Sequence, residues 1–224
     1  MHGKADIKFE NGVRVKHASE SVYLGSKIAG NGSREAEIQH RLSKALLTAS
    51  RLKFFWKKTN ASLKWKLLIY NAIIIAQVTY GLDVMHITET ILRKLNAFHF
   101  RGLRIILGIE HSYYSRVTNQ EVLRKANIVL NGGQDLELTW EQFILLDADS
   151  ALQVIPVGDI ILGRQQKILS HVMRADRADP MFEVSFTEDM FIKTLSSKRV
   201  GRPRQHFIQE TMNRAYWNLY SKIR

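Results

Sequence analysis

The sequence predicts a mainly α-helical protein with a small N-terminal β-hairpin and strand element and a mixed, mostly helical C-terminal extension. Three observations carry this. Two-residue alternation of apolar and polar side chains is confined to the first 28 residues. Beyond residue 33 the apolar residues recur at three- and four-residue spacing. Most of these helical stretches open on a Ser or Thr cap or close on a glycine.

The elements follow in order. Ile7 and Phe9 alternate with polar residues, Asn11-Gly12 is a strong two-residue hairpin turn, and Val13 and Val15 alternate again. A third strand is predicted from Val22 to Ile28, carrying Tyr23-Leu24-Gly25. Ser33 caps the first helix, with Glu35 and Glu37 suiting its positive start. Its apolar stripe is Ile38, Leu42, Ala45, Leu46, Ala49, Leu52 and Trp56. Thr59 to Ser62 break it and cap a second helix, running to about Tyr80 and ended by Gly81. Apolar on nearly every face, that helix is expected to be the core of its domain. A third helix starts near Thr88, carries Ile91, Leu95, Phe98, Leu103 and Ile106, and ends at Gly108. Thr118 to Glu121 form a capping box opening a shorter helix to about Asn127. Asn131-Gly132-Gly133 is the clearest boundary. After an acidic mixed segment, a helical pattern runs from Ile160 to Arg174 and breaks at Asp179-Pro180; a last amphipathic helix spans Phe207 to Ile223.

A hydrophobic content of 45% is ordinary for a folded protein, so full disorder is excluded. The net charge of +12 is not ordinary and points to a polyanionic partner, nucleic acid before a membrane surface. With no cysteine there is no disulfide, thiol catalysis or cysteine-ligated zinc. The N-terminus lacks a signal-peptide run, and the longest apolar stretch, Leu67 to Val78, is too short for a membrane span. An intracellular location, nuclear or cytoplasmic, is expected.

Charge is patterned on the first helix. At about 100° per residue, Arg34, Arg41, Lys44, Arg51 and Lys58 fall in one arc of roughly 120° beside the apolar stripe. A solvated charged face is the ordinary explanation, but a face of one sign repels itself unless an anion lies against it, so these five are expected to bind phosphates. A second basic segment is Lys198-Arg199-Val200-Gly201-Arg202-Pro203-Arg204. Gly-Arg-Pro is the core of the minor-groove AT-hook, but Val200 stands where an arginine should precede the glycine. A general phosphate-binding or nuclear-import tail, built on Lys198, Arg199, Arg202 and Arg204, is the reading favoured.

Catalytic machinery is scarce. Asp147 and Asp149 lie two apart, but no other patterned carboxylate joins them to hold two metal ions. His40, His86, His99, His111, His171 and His206 have no paired zinc-binding spacing. Neither a glycine-rich phosphate loop nor a dinucleotide motif occurs.

In order, these residues resemble the C-terminal part of a non-LTR (LINE-type) retrotransposon reverse transcriptase, an RNA-directed DNA polymerase. Ser21 to Ile28 looks like the family's Phe/Tyr-Leu-Gly primer-grip strand, and Glu37 to Ala45 is similar to its first thumb helix. Leu63 to Tyr70 with Lys66, then Thr79-Tyr80-Gly81, resemble the second helix; Leu103 to Ile109 resembles the Leu-Arg-x-Ile-Leu-Gly-Ile string. Thr118 to Leu123, Arg164 to Arg174 and Gly201 to Arg204 resemble later blocks, with Ser170 in place of the usual glycine before His171. Residues 131–160 match none of the family's blocks.

The resemblance implies terminal palm-like strands over residues 1–30, a helical thumb-like domain over 31–130, and a post-thumb extension with a basic tail over 131–224. It implies primer-grip roles for Tyr23, Leu24 and Gly25. The family's catalytic aspartates precede the Tyr-Leu-Gly strand, and none of that pattern lies in the residues before it here. The expectation is therefore a truncated polymerase fragment, without enzymatic activity as an isolated chain. It would bind an RNA–DNA hybrid or DNA duplex alongside the missing palm and fingers, with no membrane partner. It would hold no cofactor of its own, magnesium belonging to the intact polymerase. The alternative is a non-catalytic nucleic-acid-binding module anchored by the Gly-Arg-Pro tail.

Overall fold

The computed structural model describes residues 9–14, 18–30, 34–133, 153–187 and 211–212. They are mainly helical, with one two-stranded antiparallel hairpin among them. The chain divides into two compact units within its first helix, one ending at Arg41 and the other beginning at Leu42.

In the N-terminal unit the Asn11-Gly12 turn forms with a three-residue loop. The Phe9 N–H donates to the Val13 carbonyl at 2.9 Å, and Gly12 takes φ 77°. That left-handed residue makes the extra loop position of a bulged hairpin, where a two-residue turn was expected. The expected strand from Val22 to Ile28 is also a hairpin: β1 (Glu20–Tyr23) pairs with β2 (Ser26–Ala29), Tyr23 facing Ser26. Leu24 and Gly25 take φ 47° and 80°, the double positive φ of a type I′ turn. Glycine adopts that geometry freely; Leu24 does so at a steric cost.

Helix α1 (Arg34–Arg51) is followed by α2 (Lys53–Lys58), with a break at Leu52 where one continuous helix was expected. The Trp56 indole N–H donates to the Ala49 carbonyl at 2.9 Å, the acceptor that Lys53 would use in an unbroken helix. Ser62 then caps α3 (Leu63–Ile69), accepting from the Trp65 N–H at 3.3 Å. The helix widens into π geometry over Tyr70–Ile75 and continues as α4 (Ala76–Thr79). The wider turn lets the adjacent Ile74 and Ile75 both be buried. One face of this run stays open, with Trp65, Ile73 and Tyr80 exposed, so it is a core helix on one side only.

Thr88 and Gly108 bound α5 (Glu89–Leu107) as the sequence predicts; Gly108 takes φ 68° and the Ile109 N–H reaches back to the Arg104 carbonyl. Leu95 and Leu103, fully buried, put α5 at the centre of the unit. A short helix the sequence pattern does not announce, α6 (Ser112–Ser115), precedes α7 (Asn119–Leu130), which Thr118 caps. Asn131 to Gly133 do turn, yet the chain does not divide there. The Asn127 side chain bonds both backbone groups of Val154, at 2.8 and 3.1 Å. The N-terminus of α8 (Val157–Arg174) packs on α5, the Gly158 N–H donating to Asn96 at 3.0 Å. A side chain at Gly158 would crowd Leu92, so the glycine permits that close approach. Asp179 caps α9 (Pro180–Ser185), whose Phe182 joins Leu169, Val172 and Phe186 in a smaller apolar cluster. No helix among the described residues is long and apolar enough to cross a membrane.

Candidate nucleic-acid interface

The fold sorts the cations by environment. Arg41 is buried. Its Nε donates to Glu37 at 2.6 Å, one turn earlier on α1, and its other end donates to the Gly25 carbonyl at 3.1 Å and to Ser26 Oγ at 3.0 Å. The second Glu37 oxygen accepts the Lys27 backbone N–H. A helical i,i+4 ion pair thus clamps the β1–β2 turn, and Arg41 serves the hairpin instead of facing solvent as the arc predicts. Arg34 is half-buried and engaged within the protein. At the hairpin tip, Tyr23 and Leu24 are 65% and 75% exposed, and Gly25 holds the turn.

Two further cations of the helical unit are likewise consumed by backbone oxygens. Lys66 Nζ donates to the carbonyls of Trp56 and Thr59 at 3.0 and 3.1 Å, satisfying the end of α2. Arg104 donates to the carbonyls of Glu110 and Val117 and to Asn119, pinning the connection from α5 to α7. Each is buried, and each replaces the lost water with hydrogen bonds.

The remaining cations of this stretch stay in solvent. Lys44, Arg51 and Lys58 are exposed, as the sequence predicts, and so are Lys53, Lys57 and Lys64. No acidic residue occurs between Glu37 and Asp83 to neutralise them. Phe54 and Trp65 stand among these lysines, 72% and 61% exposed. Exposed aromatic faces, together with ammonium groups that make no ion pair among the described residues, suit both elements of a nucleic-acid surface, phosphate and base. Sequence reasoning passed over Lys53, Lys57, Lys64, Phe54 and Trp65; the acid-free run was the signal that marked them. Lys198, Arg199, Arg202 and Arg204 lie outside the described residues, as do Asp147 and Asp149.

Among the described residues no group of three His, Asp or Glu side chains is arranged to hold a metal ion. The buried pair Tyr70 and His99 stacks at 5.8 Å inside the helical core. Burial pushes the His99 imidazole down to about 4, opposed by the backbone at Ile155, and raises the Tyr70 hydroxyl above its ordinary range. The Tyr70 ring lies against Gly102: a Cβ there would sit 2.7 Å from Tyr70 Cζ. This is packing, with both groups held neutral. Compared with protein-family models, with curated proteins and with solved structures, the chain matches none.

Proposed function

We propose that the chain is the grip-and-thumb part of a LINE-type reverse transcriptase and holds primer–template nucleic acid, an RNA–DNA hybrid or a DNA duplex, by its phosphates. The observation that carries this is the set of exposed cations Lys44, Arg51 and Lys58, flanked by Lys53, Lys57 and Lys64, on a stretch with no acid between Glu37 and Asp83. The order of motifs from Tyr23 to Arg204 supplies the family. In this reading the exposed Tyr23–Gly25 turn supports the primer end. Polymerisation and its magnesium belong to the palm of the enzyme, so these residues position a duplex without extending it.

Binding of an RNA–DNA hybrid measured against salt tests the reading. Each neutralised phosphate contributes a slope of about −0.9 in log affinity against log salt, so three or more contacts give about −3 or steeper. A flat profile contradicts it, as does template-dependent primer extension by this chain with magnesium. A slope that depends only on the 198–204 segment favours the basic module anchored by its Gly-Arg-Pro tail.

A further inference from the structure

The apolar stripe of α1 is not fully covered. Leu46 belongs to it by spacing, yet is 55% exposed. It opens, with Trp56 and Phe98, onto a cleft of about 550 Å³ between the end of α1, α2 and α5. Lys53, Lys57 and Arg101 line the same cleft, and no acidic residue does. None of the three is ion-paired among the described residues. A second cleft, of about 730 Å³, adjoins the first along α5 and shares Ala97, Arg101 and Ile105 with it; Phe100, Arg104, Ile109, His111, Ser112 and Asn119 complete its wall. Two partly apolar hollows therefore flank one arginine.

We propose that this double cleft is a binding site for single-stranded nucleic acid. Flat bases enter the hollows on either side of Arg101, and the intervening phosphates lie on Arg101, Lys53 and Lys57. The hollow volumes fall in the range of small-ligand sites, and apolar floors with convergent polar groups are the ordinary form of such sites. Charge complementarity requires an anion, and the repetition of the hollow along one ridge favours a polymer over a single small amphiphile. A base-paired duplex has no free base to insert, so the ligand is unpaired. The site shares Lys53 and Lys57 with the duplex-holding cations above and adds Arg101, while Lys44, Arg51, Phe54, Lys58 and Trp65 do not line it.

The test uses the full chain and three labelled probes: a twelve-nucleotide oligothymidylate, an abasic strand of the same length and charge, and an RNA–DNA hybrid. Bases stacked in the hollows add affinity that the abasic strand lacks, so the oligothymidylate binds at least about tenfold tighter than the abasic strand. Ser50→Trp, a change at an exposed residue on the wall of the first hollow, fills the space. It lowers that ratio while hybrid binding stays unchanged. Arg101→Gln weakens both single strands. Equal affinity for thymidylate and abasic strands overturns the proposal. So does a ratio that survives Ser50→Trp in a variant with an unaltered melting curve. Saturable binding of dodecanoate that Ser50→Trp removes, without any base-dependent ratio, assigns the cleft to a fatty acid and equally overturns it.

Discussion

The N-terminal hairpin and the helical unit are held by opposite means. The hairpin presents mostly exposed side chains, including Val22, Tyr23, Leu24 and Ile28, and its turn depends on one buried ion pair. The helical unit has a true apolar core around Leu67, Ile74, Leu95 and Leu103, and uses its buried cations only to finish helix ends and connections. An arginine on α1 therefore means different things on either side of the unit boundary. At Arg41 it is a structural clamp; at Arg51 it is an exposed charge with no such duty. Sequence charge patterning treats the two alike, and only burial separates them.

Breaking the clamp is expected to have the largest effect. Arg41→Met strands Glu37 as a buried, unpaired carboxylate, and removing one partner of such a pair costs about 3–5 kcal/mol. The Lys27 amide, which donates to Glu37, reports the loss directly. Hydrogen exchange at Lys27 should accelerate strongly while the amides of α5 keep their protection. Glu37→Gln together with Arg41→Met should cost less than Arg41→Met alone, because no charge is left unpaired. Unchanged exchange at Lys27 would remove the distinction between the units.

The apolar unit has its own weak point in His99. Its folded value of about 4 lies below the ordinary 6.5, so the unfolded chain binds the extra proton first. The neutral-imidazole contribution is complete above about pH 6.5 and is lost as pH falls toward about 4, amounting to roughly 3 kcal/mol at most. Thermal melts should therefore drop between pH 7 and pH 5, and His99→Phe should flatten that drop. An equal drop in the variant would place the acid sensitivity elsewhere.

Legibility in the sequence followed the range of the interaction. Caps and stops written in two to four residues were readable: Ser62, Thr88, Gly108 and Thr118 all act where expected. The Leu24-Gly25 turn was not, because its first position holds a branched residue that ordinarily avoids positive φ, and the alternation of Val22 and Leu24 reads as unbroken strand. The break at Leu52 depends on Trp56 reaching back seven residues, and α6 is too short to show a period. For the interface, exposed Lys44, Arg51 and Lys58 were readable as one face. The withdrawal of Arg41 was not, since it depends on a turn 15 residues away. Lys53, Lys57 and Arg101 meet only because α2 packs near α5.

The salt dependence of hybrid binding in two variants tests the central claim most directly. Each exposed cation that touches a phosphate contributes about one unit of slope. Lys44→Gln/Arg51→Gln/Lys58→Gln should lower the slope by about 2–3, and Arg41→Gln should leave it unchanged. A triple variant that keeps the full slope, or an Arg41 variant that loses as much, would contradict the division between structural and phosphate-binding cations.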